Sequence, residues 1–178
     1  AALALERLAR LPVTPTATLV RNLCLMAENV QSDLRQSFLF FTPDFVHPRY
    51  AGLPLFADIE TAFAPLKGRV VRATLAASRK IVELVAIFGG QWPHSSFMVP
   101  GGVMSAPNLA DVTRGTAILN HWKDNWLEAE WLGCPIERWL EIKTWEDMLA
   151  WVYENESQHD SDCGFFIRYA LDIGLDKY

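Results

Sequence analysis

The chain has 178 residues with 16 Lys and Arg against 21 Asp and Glu, a net charge of −5 and a pI near 5.3, which argues against nucleic acid because no basic face is available for phosphate. Hydrophobic residues make up 51%, with seven Trp and ten Phe, yet no apolar run reaches the roughly 18 residues of a membrane span. The length suits one domain with its own core, and so much apolar surface requires a protein partner or the rest of a larger chain to cover it.

Ala1 to Arg10 reads as the tail of a helix already under way and not as a signal peptide. It stops at Pro12, because proline disfavours helix for the residue before it. Thr14 followed by Pro15 predicts an N-cap, opening a long helix with Leu19, Leu23, Met26, Val30, Leu34, Phe38 and Phe41 on one face. From Thr42 to Pro65 four prolines break the pattern. The aromatic residues Phe45, Tyr50, Phe56 and Phe63 make this an ordered excursion with room for a minor strand or two. Helix resumes after Gly68 with Val71, Leu75, Ser78, Val82 and Val85 on its apolar face, and it ends at Gly89 and Gly90 as a glycine C-cap.

Phe88 to Val103 is the one place where glycine, proline, histidine and small hydroxyls crowd together. Trp92, Phe97, Met98 and Val99 ask for burial, so this loop is expected to lie inside protein, as a packed crossover between helices. Beyond it Asn108 caps a helix reaching about Leu132, whose Trp122, Trp126 and Trp131 suggest a deep interface. Gly133, Cys134 and Pro135 end that helix. Ile136 to Leu140 forms a turn of helix, Thr144 caps another ending near Tyr153, and a final helix starts after Ser161 and stops near Gly174. The fold class is mainly α: residues 1–178 as a single helical segment, a multi-helix bundle with long apolar helices and an irregular Pro- and Gly-rich excursion.

No Gly-x-Ser-x-Gly elbow, phosphate loop or dinucleotide fingerprint is present. His47, His94, His121 and His159 fall on separate elements without ligand spacing. Cys24, Cys134 and Cys163 are odd in number and far apart, supporting neither a disulfide framework nor a zinc site and suiting a reducing compartment. The polar cluster His159-Asp160-Ser161-Asp162 is explained by capping of the helix that follows it. From the residues alone this is a mainly helical, interface-rich segment.

Several stretches carry a resemblance. Arg21-Asn22-Leu23, Phe40-Phe41-Thr42-Pro43-Asp44-Phe45, Ile87-Phe88-Gly89-Gly90 with Pro93-His94, Pro100-Gly101-Gly102-Val103, His159-Asp160-Ser161-Asp162 with Gly164 and Phe166, and Gly174-Leu175-Asp176-Lys177 are similar, in the same order, to signatures of the nickel-iron hydrogenase large subunit, most closely its uptake and hydrogen-sensing branch. The likeness spans nearly the whole chain. That family binds its nickel-iron centre through two Cys-x-x-Cys pairs, and neither pair is present here, so the chain resembles the middle of such a subunit with the metal ligands outside it and no metal site of its own.

The resemblance implies heterolytic oxidation of H2, with electrons leaving through iron-sulfur clusters in a small partner subunit. It places His94 at the contact with that subunit's nearest cluster. A family aspartate overhanging the metal site falls on Ser32 in ungapped alignment, with Asp33 next to it, so these two are the catalytic candidates. Where the family tends to carry histidines along this helix, Gln31 to Ser37 has none. The implied location is cytoplasmic or peripherally membrane-associated, without a transmembrane span, and a higher oligomer is left open. Two other readings stand beside this one: a non-catalytic helical interaction module, and the related quinone-reducing subunit of respiratory complexes.

Overall fold

The computed structural model describes residues 2–177, which are predominantly helical. Among them no helix is long and apolar enough to cross a membrane. The chain divides into two compact units, one made of Ala1–Gln36 with Leu75–Asn120 and the other of Ser37–Thr74 with His121–Tyr178.

In the first unit, α1 (Ala2–Ala9) is followed by α2 (Pro15–Arg35), the longest α-helix. The predicted cap is present: the Ala17 amide donates to Thr14 Oγ1 at 3.2 Å, with Pro15 in the first turn. The face that α2 buries differs from the expected one. Ala17, Val20, Arg21, Cys24, Ala27 and Gln31 are buried, whereas Leu19 is 70% and Met26 63% exposed. The expected stripe lies one residue back at each step, hence about 100° round the helix. Small side chains at Ala17, Cys24 and Ala27 take the inner face because they let the neighbouring helix come close, and the larger leucines are turned outward. α2 is therefore long but not apolar, with Asn22, Glu28, Asn29 and Asp33 exposed along it.

α4 (Arg69–Ile81), which enters this unit at Leu75, and α5 (Glu83–Gly89) replace the single helix expected after Gly68, with Val82 between them in a turn. Of the predicted face Val71, Ser78, Val82 and Val85 are buried and Leu75 is half-buried, while Ala77, Ile81, Leu84 and Phe88 widen the buried surface, and α5 packs along α2. α5 stops at Gly90, whose φ of 87° a side-chain-bearing residue resists. Next comes a two-stranded antiparallel hairpin, β1 (Met98–Val99) and β2 (Gly102–Val103), in register Met98↔Val103 and Val99↔Gly102. The short strands thus fall in the central loop, turning at Pro100-Gly101, and not in the 42–65 excursion where they were expected. α6 (Leu109–Trp122) opens with reciprocal bonds between Asn108 and Asp111, each backbone amide donating to the other side chain.

The second unit contains the excursion. A π-helical turn, Gln36–Phe41, continues directly from α2, and its residues from Ser37 on belong here. Two 3-10 turns, Thr42–Val46 and Pro48–Tyr50, lead into α3 (Phe56–Phe63). The expected order comes from ring packing: Phe38, Phe45, Ile59, Phe63, Val70 and Tyr169 form a core, with Phe45 edge-on to Tyr169 at 5.2 Å and to Phe63 at 6.0 Å. The buried Tyr169 hydroxyl donates to Phe45 O at 3.0 Å, so its polar end is satisfied.

The helix carrying three tryptophans passes from α6 into a π-helical stretch, Lys123–Leu132, that ends at left-handed Gly133. Trp122 and Trp126 are buried and pack ring to ring at 5.1 Å. Trp126 stacks on Trp131 at 6.0 Å, and Trp131 meets Phe38 edge-on at 4.6 Å. The expected deep interface is, for these rings, an internal core. α7 (Ile136–Leu140), α8 (Trp145–Val152), α9 (Glu156–Asp160) and α10 (Asp162–Asp172) complete the unit around Leu132, Trp151, Val152, Cys163 and Ile167. Thr144 and Asp147 form a capping box, and Ser161 caps α10 by accepting from the Gly164 amide at 3.0 Å.

Gly164 is also pinned by contact. A Cβ there would stand 2.0 Å from Gln158 O and 2.9 Å from His159 O. Gly164→Ala is therefore expected to lose about 1–3 kcal/mol of stability as α9 is pushed from α10, measurable by urea unfolding against wild type.

Candidate functional site

Arg21, on the inner face of α2, is the most heavily engaged polar side chain of the first unit. Its Nη1 and Nη2 donate to Glu6 Oε2 and Oε1 at 3.1 and 2.6 Å. Nη2 also donates to the carbonyls of Val99 at 2.8 Å and Gly102 at 2.7 Å. Glu6 Oε1 accepts the Gly101 amide at 2.7 Å. One buried ion pair thus joins α1, α2 and both strands of the hairpin at the residues flanking its turn. Arg21 and Glu6 are 6% and 5% exposed, so each charge depends on the other. The Arg21 hydrogen bond, followed by the Gly101 amide, holds the Glu6 carboxyl below the usual glutamate range, and the Glu6 hydrogen bond raises Arg21. Among the described residues Arg21 Nε has no hydrogen-bond partner.

In the sequence Arg21 stands in the Arg-Asn-Leu motif with no role attached to it, and Glu6 belongs to no motif. The signal was available in part: a cation at the spacing of Ala17, Val20, Cys24 and Ala27 must be paired once that face is buried.

His94 occupies the turn between α5 and β1, exposed and with φ of 64°, a left-handed conformation that histidine tolerates better than most residues. Gln91 Nε2 donates to the His94 carbonyl at 2.6 Å. The Arg35 guanidinium lies 5.6 Å from the ring centre of Trp92, two residues before His94, and fastens the loop to the end of α2. The loop is less buried than its composition suggested. Phe97 is buried against Gly89, but Trp92 and Val99 are half-buried and Met98 is 42% exposed. A two-residue hairpin turn and the run from Gln91 to Ser96 can leave their backbone polar groups to water, and one aromatic anchor suffices to hold them.

Ser32 and Asp33 lie in the last turn of α2, both exposed, with their backbone carbonyls accepting the Gln36 amide. Among the described residues no hydrogen bond joins either of them to His94. The structure brings Arg35, their neighbour on the same helix, to the His94 loop through Trp92.

The cysteines do not assemble. Burial, with the nearby Glu28 charge adding to it, pushes the Cys24 thiol up to about 11, and burial pushes Cys163 up to about 12. Cys134 Sγ accepts the Trp151 indole N–H at 3.3 Å. Among the described residues no group of three or more His, Cys, Asp and Glu side chains is placed to hold a metal ion. Soft metals need gathered thiolates, and two of these thiols are held protonated. The residues present therefore do not fit a nickel-iron centre.

The densest polar segment, His159 to Asp162, is accounted for by local structure. Ser161 caps α10, His159 Nδ1 meets Asp160 Oδ1, and Asp162, 2% exposed, is paired with Arg69. Burial raises the Asp162 carboxyl above the ordinary aspartate value of 3.8, against the opposing pull of Arg69. No protein-family profile matches the chain.

Proposed function

We propose that the chain is the central part of a nickel-iron hydrogenase large subunit, contributing to the oxidation of H2 with electrons passed to an iron-sulfur partner subunit. The observation that supports this reading is the meeting of separate signature stretches. Arg21 of the Arg-Asn-Leu motif donates to the carbonyls on both sides of Pro100-Gly101, about 80 positions away. Phe45, closing the Phe-Phe-Thr-Pro-Asp-Phe motif, accepts from Tyr169 beside the carboxyl-terminal motif.

In this reading the chain is scaffold. It supplies the loop that presents His94 to the partner and the helix end that carries Ser32 and Asp33, while the metal ligands belong to residues outside these 178. The chain works at a cytoplasmic or peripheral membrane location.

The test is to express the longest protein that contains this chain together with its iron-sulfur partner, then to measure metal content, H2-dependent dye reduction and hydrogen-deuterium exchange. Stoichiometric nickel with both activities is the expected result. A stable complex without nickel or either activity would overturn it in favour of a non-catalytic helical module, and quinone reduction without H2 oxidation would place the chain with the respiratory subunits. A cheaper arm uses the chain alone, which is expected to retain no stoichiometric nickel or iron after gel filtration. About one tightly held nickel per chain would contradict the scattered-thiol geometry.

A further inference from the structure

Trp122, Trp126 and Trp131 stand four and five residues apart. Four residues keep the first two on one helix face, but in an α-helix five residues would turn the third about 140° away. The π-helical stretch Lys123–Leu132 removes that offset, because its extra residue per turn brings positions five apart back into line. The result is a row of three indoles. Trp122 and Trp126 meet at 5.1 Å with their planes tilted by 47°, and Trp126 stacks on Trp131 at 6.0 Å with planes only 18° apart. Trp122 and Trp126 are each 8% exposed, and Trp131 is half-buried.

The middle ring has an unusual setting. Trp126 Nε1 is buried, and among the described residues nothing accepts its hydrogen, although a buried indole N–H ordinarily finds a partner. For packing alone phenylalanine would serve without that cost. The unpaired N–H changes what happens when the ring is oxidised. An indole that has lost one electron is a radical cation, which becomes the neutral radical by handing its N–H proton to an acceptor; with no acceptor bonded to Trp126, the charge stays on the ring.

We propose that Trp122, Trp126 and Trp131 form a reversible one-electron site: an oxygen-centred radical takes one electron from half-buried Trp131, the positive charge is shared with Trp126 and Trp122, and a reductant of the ascorbate class returns the electron.

The balance of the cycle is simple. The electron that leaves ends on the oxygen-centred radical, which becomes its anion; the reductant supplies the replacement and gives its own proton to water. No bond in the protein forms or breaks. Trp126 has two indole neighbours, and their π faces attract a cation. Next to Trp131 comes Phe38, edge-on at 4.6 Å, and a benzene ring is much harder to oxidise than an indole, so the charge is not passed into the phenylalanine core. Tyr169 offers no sink on the far side of that core, since its hydroxyl donates to Phe45 O, a carbonyl that cannot take its proton. The inference is independent of the hydrogenase reading, because it rests on ring geometry and one unpaired N–H.

The full chain is mixed with tris(bipyridyl)ruthenium(II) and a cobalt(III) ammine quencher, so that each light flash produces a one-electron oxidant in place of the radical. Transient absorption then follows the indole radicals, the cation absorbing at longer wavelength than the neutral form. The expected result is a cation signal that outlasts the proton loss of exposed indoles and is discharged by ascorbate, with the protein mass unchanged. Trp126→Phe should lower that signal about two- to tenfold, the range of one lost ring beside a cation. Trp131→Phe should lower it as well and gives the reading should Trp126→Phe fail to fold, with circular dichroism and Tm checking each variant. Trp145→Phe removes an indole that is 49% exposed and should leave the cation signal unchanged. A radical that is neutral from its first appearance would overturn the proposal by revealing a proton acceptor at Trp126. Equal cation signals in wild type and in the folded phenylalanine variants would overturn it by leaving the three rings as core packing alone, and hydroxylated tryptophan formed in the presence of ascorbate would show that the oxidation is not reversible.

Discussion

Arg21→Met is expected to lower Tm by about 6–12 °C, because it removes the cation paired with the buried Glu6 carboxylate and frees two strand carbonyls at once. Methionine keeps most of the volume, so the loss reads the ion pair and not a cavity. The hairpin should loosen before the helices melt. Amide exchange of Val99 to Val103 should rise in the variant while α2 amides near Val20 and Cys24 stay protected. A uniform rise over the whole first unit would mean that Arg21 holds the unit and not the hairpin.

The same ion pair predicts a pH dependence whose sign follows from Glu6. Its folded-state pKa lies below its unfolded value, so its stabilising contribution is fully present above the ordinary glutamate value of 4.5 and is lost as pH falls through the lower folded value. Asp162 runs the other way. Its folded pKa is raised above 3.8, so ionising it costs stability as pH rises from that value through the raised one. Urea midpoints recorded from pH 3 to pH 7 should therefore lose part of their acid-side fall in Glu6→Gln, whereas Asp162→Asn should remove a term of opposite slope. If both variants shift the profile in the same direction, one of the two assignments is wrong.

Much of the fold was legible because helix ends are local. Thr14, Asn108, Thr144 and Ser161 cap where their sequence context says they should, and Gly90 and Gly174 end helices with the positive φ that glycine allows. What failed was anything decided by neighbours distant in sequence. The face of α2 was assigned by side-chain size, but close packing of two helices selects small residues, and Ala17, Cys24 and Ala27 were passed over for that reason. Both π-helical stretches continue an α-helical pattern with one extra residue per turn, which periodicity over so short a span does not register. Of the site, His94, Ser32 and Asp33 were named through resemblance. Glu6 was missed because its importance exists only once Arg21 and Gly101 are brought beside it.

The second large effect concerns His94 and rests on the hydrogenase reading. The loop holds this side chain outward from three directions: the Gln91 bond to its carbonyl, the Arg35 cation over Trp92, and the Arg21 bonds to the hairpin that follows. An exposed imidazole on a fastened loop is suited to a hydrogen bond across a subunit contact, where exclusion of water would strengthen it. In the complete two-subunit enzyme, His94→Ala should slow electron transfer to an external acceptor by about two- to tenfold, the range of one lost hydrogen bond. Hydrogen-deuterium exchange, which needs only the metal centre, should change less. Because φ at this position is 64°, alanine also strains the backbone, so His94→Gly is the necessary companion: it relieves the strain but still lacks the imidazole. If both variants lose electron transfer and keep exchange, the side chain carries the effect. If glycine restores the rate that alanine loses, the backbone conformation was the cause and His94 has no part in the electron path. Parallel loss of both activities would trace instead to metal insertion or folding, and the loop would then be a structural element of the large subunit.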